Sequence, residues 1–248
     1  MAMELDLNAD IAESFGQWSM GDDDTVLKFA SSANVACGFH AGDPKTIARA
    51  CRAAVTAGVR IGAHAGYHDL RGFGRRALAV PPEHLRADLL YQLGAVNAVA
   101  RGAGATIGYF KPHGALYRAV DQDALIARAV VDAVAAFDAG LVVLHRPGSL
   151  LLELAAQRGL ATAGEIFAHR AYLPDGSLVP DGDPRAHISD PAQMIATALR
   201  LAEHGTLQAV DGTLVPSTAV SVRIQGDHAA AVSEALAAHG VKVRPFAR

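Results

Sequence analysis

Cysteine is nearly absent: the 248 residues hold two, Cys37 and Cys51, fourteen positions apart. That spacing fits neither a paired-thiol zinc site nor a disulfide framework, so a reducing, cytosolic compartment is the expectation. An excess of either charge is lacking too. Twenty-two Lys and Arg against twenty-five Asp and Glu leave a formal net charge of −3, which gives no basic field for neutralising nucleic-acid phosphates. No apolar run reaches the length of a membrane span, and MAMELDLNAD carries acids where a secretory signal needs a basic and then an apolar segment. These absences predict a soluble protein that is not exported. The chain also has no G-x-x-x-x-G-K-[ST] phosphate loop, no G-x-S-x-G elbow around Ser14, and no Gly-rich dinucleotide fingerprint after its first β-rich run. Any use of ATP therefore requires an unconventional cradle or a partner.

What is present is core. Hydrophobic residues make up 51% and charged residues 19%, which excludes disorder. Helical stretches end in Gly, and a β-rich run follows, at AGVRIGAH, AGATIGYF, AGLVVLH, RGLATAGEIF and HGVKVRPF. Glycine stops a helix in the left-handed conformation without a Cβ penalty. Leu85, Leu89, Leu93, Val96 and Val99 keep a helical spacing, as do Leu125, Ala129, Val130, Ala133 and Phe137. Asp43 before Pro44 marks a helix start, with the helix running to about Val55.

Strands are predicted near 4–9, 32–37, 59–64, 106–111, 141–145, 160–166, 219–225 and 241–245. Several read as apolar runs, as strands covered on both faces do. Alternation of strand and helix predicts an α/β fold with a mainly parallel sheet. About seven repeats point to a barrel, incomplete against the eightfold form, rather than an open doubly wound sheet. Residues 1–248 read as one domain, with irregular segments at 65–80 and 170–190, each following a strand.

Polar residues gather where the strands end: Asp10, His40 and Asp43, His64, Lys111 and His113, His145, Glu165, and Gln225 with Asp227. The C-terminal ends of parallel strands converge on one rim, where ligands bind. His84, His204 and His239 fall in helices or at their ends and need no function. Two chemistries fit the rim. Asp10, His40, His64 and His113 could hold a divalent metal that activates water, a reading sharpened by His64-x-x-x-His68. Alternatively Asp10, Glu13 or Asp227 is a base while His113 or Lys111 polarises a carbonyl. Plainer readings stand beside these. Asp43 is explained equally well as an N-cap, His145 before Arg146-Pro147 fits a surface position, and Arg71, Arg75 and Arg76 fit a solvated loop as well as an anion clamp. Cys37 reads as a small buried residue. Asp10 has no evident capping or packing duty.

LNADIAESFG, SSANVACGFHAGDP, IGAHAGYHDLRGFGRR, YFKPHGALY, EIFAHRAY, DGSLVP and QGD resemble, in order, the signature blocks of the LamB/YcsF family, the A subunits of bacterial ATP-dependent 5-oxoprolinase. The resemblance spans residues 5 to 227. It implies a seven-stranded β/α barrel of the glycoside hydrolase/deacetylase-like kind and the ATP-coupled opening of 5-oxo-L-proline to L-glutamate. It also implies partner subunits B and C. Phosphorylating the amide oxygen of a stable lactam would make a better electrophile. On this resemblance Asp10, Glu13, His40, His64, Lys111, His113 and Asp227 are expected to be catalytic. Asn8, Asn34, Asp43, Arg75, Tyr117, Glu165, Arg170 and Gln225 are expected to bind substrate, with Lys111 or Arg75 meeting transferred phosphate.

The sequence departs from the family pattern at several of these blocks. Ala12 stands for Gly, Ala65 and His68 for prolines, Arg118 for Asn, His169 for Asp, Asp181 for Arg, and Gln225 for His. The last four alter charge or proton capacity, so the substrate or catalysis could differ. Two alternatives follow: a metal-dependent amidohydrolase or deacetylase acting on another small amide, and a non-catalytic subunit that holds the lactam for its partners.

Overall fold

The computed structural model describes residues 3–247, apart from the side chain of Asp227. The chain opens with β1 (Glu4–Ile11), a single helical turn α1 (Asp23–Val26), β2 (Ser32–Ala36), α2 (Pro44–Ala57), β3 (Arg60–Ala65) and the long α3 (Pro82–Gly102). It continues through β4 (Tyr109–Pro112), α4 (Gly114–Gln122), α5 (Ala124–Phe137), β5 (Val142–His145), α6 (Leu150–Gln157) and β6 (Ala161–Phe167). It ends with α7 (Pro191–His204), a small hairpin of β7 (Thr206–Gln208) and β8 (Leu214–Pro216), then β9 (Ala219–Arg223), α8 (Gly226–Ala238) and β10 (Lys242–Val243).

Strands β1 to β6 pair in sequence order, and β9 joins β6 to β1. All these pairings are parallel, so seven strands close a barrel. β10 lies outside that ring, pairing only with the first two residues of β1. The seven-stranded parallel barrel is thus the architecture, and the barrel strands fall within a few residues of their expected places. The β7–β8 hairpin has no counterpart among the expected strands. Its strands are three residues long, too short to show a period.

The period of two in β1 organises the interior. Leu7, Ala9 and Ile11 pack outward into the large apolar layer shared with the helices, while Asp6, Asn8 and Asp10 alternate with them and bond to residues of the neighbouring strands β2 and β9. β1 thus differs from the apolar strands expected of a sheet covered on both faces. Its inner face is polar because the barrel encloses a hydrogen-bonded network instead of a dry core.

Helix α2 begins as its sequence demands: Asp43 accepts from Thr46 N at 2.9 Å with Pro44 at the first position, and it stops at Gly58 with φ +70°. α3 buries Leu85, Leu89, Leu93, Val96 and Ala100 at its contact stripe. In α5, Ala129, Val130 and Ala133 are buried but Leu125 is 65% exposed. Leu125 stands in the first turn, directly after the Asp123 cap.

The N-terminal end of the barrel is closed by apolar groups. Tyr109, Leu144, Ala163 and Ala247 form a separate buried cluster with Phe246 packed against it, and the Tyr109 and Phe246 rings lie 4.9 Å apart between centroids. The Tyr109 ring occupies the space that a Cβ on Gly62 would need, 2.2 Å away. Among the described residues no helix is long and apolar enough to cross a membrane.

Candidate active site

The C-terminal end of the barrel carries the charge. Lys111, on β4, is 2% exposed and crosses the interior to Glu165 Oε2 at 2.8 Å and Asn8 Oδ1 at 3.1 Å. Asn8 donates to Ser221 Oγ at 2.7 Å, and Asn34 donates both to Asn8 Oδ1 at 2.7 Å and to Asp10 Oδ1 at 2.8 Å. Tyr109 donates its hydroxyl proton to Asn34 Oδ1 at 2.7 Å. A shift of register at Gly164/Glu165 in the β6–β9 pairing accompanies the inward placement of Glu165. Deeper still, Asp6 accepts from Ser31, Ser32 and Ser221. Burial nevertheless outweighs those bonds and pushes its carboxyl up to about 6.

Asp10 stands where this network meets the mouth. Arg223 Nη2 donates to its Oδ2 at 2.7 Å, Lys111 Nζ lies 3.6 Å from Oδ1, and His64 Nε2 lies 3.6 Å from Oδ2. Burial alone would raise its pKa, but the charges of Arg223, Lys111 and His64 prevail and hold it well below the usual carboxylate range. Glu13, three residues on, has the opposite fate. Burial and the neighbouring Asp10 anion push it up to about 7, against the partial relief of Arg223 and Arg75. Between them Ala12 takes a φ of +61°, a left-handed conformation that costs a residue with a Cβ about 1–2 kcal/mol. This strain explains why glycine suits the position.

The histidines pack beside Asp10. His40 stacks on His113 with ring centroids 3.8 Å apart, and His64 meets His113 edge-on. Gly66 and Gly74 allow this closeness: a Cβ on Gly74 would stand 2.8 Å from both His113 Cδ2 and His40 Cβ, and one on Gly66 3.1 Å from His40 Nδ1. Burial, together with His64, drives His113 down to about 3 and His40 well below its ordinary value. Neither ring nitrogen of His40 has a partner among the described residues.

The donors of the metal reading face one another at the mouth, His64 Nε2 lying 3.0 Å from His113 Nδ1 and 3.6 Å from Asp10 Oδ2. His64 Nδ1 faces the Lys111 carbonyl, His64 Nε2 faces His113, and His113 Nε2 faces the Phe73 carbonyl, so the imidazoles address one another and the backbone. Asp10 is occupied by two cations, and no three His, Cys, Asp or Glu among the described residues are arranged to hold an ion. His68 is exposed and stacks on Phe39 at 4.4 Å, away from His64.

Other expected residues have different places. Asp43 caps α2 and accepts from Gly16 N at 2.8 Å, which ties down the loop after β1. Arg170 holds the 170–190 segment through the Ala186 and Val179 carbonyls and Asp181. Gln225 is exposed at the N-cap of α8 without a capping bond, and the Asp227 side chain lies outside the described residues. Arg76 pairs with Asp69, whereas Arg75 is exposed, with its guanidinium 5.4 Å from the Phe73 ring centre. His145, read as a rim residue or alternatively a surface one, is fully buried, its Nε2 2.9 Å from the Tyr117 carbonyl oxygen. The Tyr117 hydroxyl and Glu165 Oε1 are both buried without partners among the described residues.

Sequence reasoning does not find Arg223. The signal exists, an arginine inside the apolar run VSVRI, but a strand expected to reach residue 225 moves attention to Gln225. Two of the positions that depart from the family pattern, Arg118 and Asp181, are neighbours, and a third, His169, meets Arg223. Arg118 Nη1 lies 3.7 Å from Asp181 Oδ2, and His169 Nε2 lies 2.9 Å from Arg223 Nη1. Burial and Arg223 push His169 down to about 2, so it meets that guanidinium as a neutral acceptor.

The model of the LamB/YcsF family matches residues 5–248. The chain belongs to the LamB/YcsF family. Among LamB/YcsF relatives, the 5-oxoprolinase A subunit of Kocuria rhizophila is 51% identical over 98% of this chain and 99% of its own. The 5-oxoprolinase A subunit of Streptomyces avermitilis is 48% identical over 98% of this chain and 100% of its own. The crystal structure of the lactam utilization protein from Thermus thermophilus superposes with a TM-score of 0.96 at 44% identity, covering 98% of this chain and 100% of that one. The relatives' shared name supports a role for this LamB/YcsF chain as a component of a 5-oxoprolinase.

Proposed function

We propose that this chain is the A subunit of an ATP-dependent 5-oxoprolinase, a hydrolase that opens 5-oxo-L-proline to L-glutamate as ATP is hydrolysed and that acts with subunits B and C. The observation that carries the reading is a pair of carboxylates with opposed acidities: Asp10 held well below the usual range and Glu13 raised to about 7. Pairs separated in this way divide acid–base labour. Glu13 is the group basic enough to take a proton from the attacking water. Asp10, too weak a base for that, stays an anion that fixes Arg223 and Lys111.

The buried Tyr117 hydroxyl and Glu165 Oε1 offer a donor and an acceptor, and burial first, then Glu165, raises the Tyr117 pKa. A lactam is a cis amide, so its C=O and N–H lie on one edge and suit such a pair. ATP supplies the phosphoryl group that makes the amide carbon electrophilic. Arg75, the exposed cation that acts on Glu13, would be the group that meets phosphate.

The test is glutamate release from 5-oxo-L-proline, with and without ATP, by this protein alone and mixed with subunits B and C. Glutamate is expected only from the complete mixture with ATP, and Asp10→Asn is expected to lower its rate at least about 100-fold. No glutamate from a mixture with competent partners would remove the reading.

A further inference from the structure

Two buried nitrogens on touching side chains, Arg223 Nε and His169 Nδ1, have no partner among the described residues. Both are donors. A guanidinium only donates, so His169 Nε2, 2.9 Å from Arg223 Nη1, accepts, and the ring carries its proton on Nδ1. A buried donor left without an acceptor is costly, and two of them side by side suit a group with two acceptor atoms. The surrounding charge gives the sign of that group. Besides burial, Arg223, Arg170 and Lys111 act against a proton on His169, with Asp10 opposing them, so this corner favours an anion. We infer that Arg223 Nε and His169 Nδ1 bind the carboxylate of the substrate and so select lactams that bear an acid on the carbon next to the ring nitrogen.

The strand register sets this pair beside the groups that suit the lactam edge. Arg223 is paired with Phe167 between β9 and β6, and Glu165 stands two residues before Phe167 on the same face of β6. The Phe167 ring meets the Tyr117 and His169 rings edge-on, at 5.6 and 5.8 Å between centroids. In 5-oxo-L-proline the acid is borne by the carbon bonded to the ring nitrogen, so it lies at the N–H end of the amide edge. With that N–H on Glu165 Oε1, the acid has Arg223, on the neighbouring strand, as its cation. Lys111 is already committed to Glu165 and Asn8. Arg223 spends one bond on Asp10 and one on His169, and its Nε is left over. The assignment of the anion as a substrate carboxylate rests on the reading of the substrate as 5-oxo-L-proline; the two unsatisfied donors do not.

The complete enzyme tests the selection. Glutamate release gives KM for 5-oxo-L-proline, and competition by 2-pyrrolidinone, the same lactam without the acid, gives its inhibition constant. Arg223→Gln also loosens Asp10, so its kcat is expected to fall; the readout is the split between the two lactams. In Arg223→Gln and in His169→Phe, KM for 5-oxo-L-proline is expected to rise about 10- to 100-fold while the 2-pyrrolidinone constant moves less than about threefold. Equal changes for both lactams would overturn the inference. A crystal structure of the unmodified chain with 5-oxo-L-proline needs no variant: the carboxylate is expected on Arg223 Nε and His169 Nδ1, and a carboxylate bound elsewhere would overturn the inference. A carboxylate on that pair in a chain that yields no glutamate with competent partners would uphold the subsite and remove only the 5-oxoprolinase reading.

Discussion

Glu13 and Asp10 are three positions apart and titrate on opposite sides of their ordinary values because they share one set of cations unequally. Arg223 and Lys111 reach Asp10 directly, and the anion so fixed is the charge that Glu13 must meet. If Glu13 accepts the proton, turnover is lost below its raised pKa and rises as pH passes through about 7. Glu13→Gln is then expected to cost about 100- to 10,000-fold and to abolish that limb, measured as glutamate release between pH 5.5 and 8.5. The sequence disclosed Asp10 and Lys111 because a charged residue closing an apolar strand has little else to do. It hid Arg223, which lies two residues before the expected strand end. It also hid the burial of His145, whose partner is a carbonyl 28 residues away, a contact that no local pattern encodes.

The loop after β3 is the element that fits the histidines together. Residues 65–80 were legible as an irregular segment at the rim, but not that Gly66 and Gly74 would lie against imidazole rings. Gly74 has φ +64° and no room for a Cβ, whereas Gly58, at φ +70°, has nothing within 4 Å of that point. Gly58→Ala is expected to cost about 1–2 kcal/mol of stability, the left-handed penalty alone, and to leave turnover unchanged. Gly74→Ala adds a clash with His40 and His113, so a loss of roughly 2–5 kcal/mol is expected, with turnover falling as the stack separates. Denaturant titration of both variants beside their rates checks the pair, and equal costs would show that the stack yields to the extra methyl.

The molecule as a whole buries neutral histidines, and that sets its response to acid. His113 and His145 are pushed to about 3 and His169 to about 2, in each case chiefly by burial. Folded-state values below the unfolded 6.5 mean that stability is intact above about pH 6.5 and is lost as pH falls toward those values. Each histidine contributes roughly 1.4 kcal/mol per pH unit. Asp6 and Glu13, raised to about 6 and about 7, work in the other direction but hold at most two protons, fewer than the histidines must gain once His40 is added. Thermal midpoints are expected to fall from pH 6.5 to 4.5, and His145→Gln to make that fall shallower. A flat profile would contradict the buried neutral state. The barrel itself was legible, because strand and helix alternate and glycines punctuate the joints; its polar lining shows only when Asp6, Asn8 and Asp10 are read as one alternating face. The same lining gives the barrel a single doorway. With Tyr109, Leu144 and Phe246 packed together at the far end among the described residues, a ligand that enters at the Asp10 mouth leaves by the same route. A partner seated over that mouth would hold reactant and product alike until it withdrew.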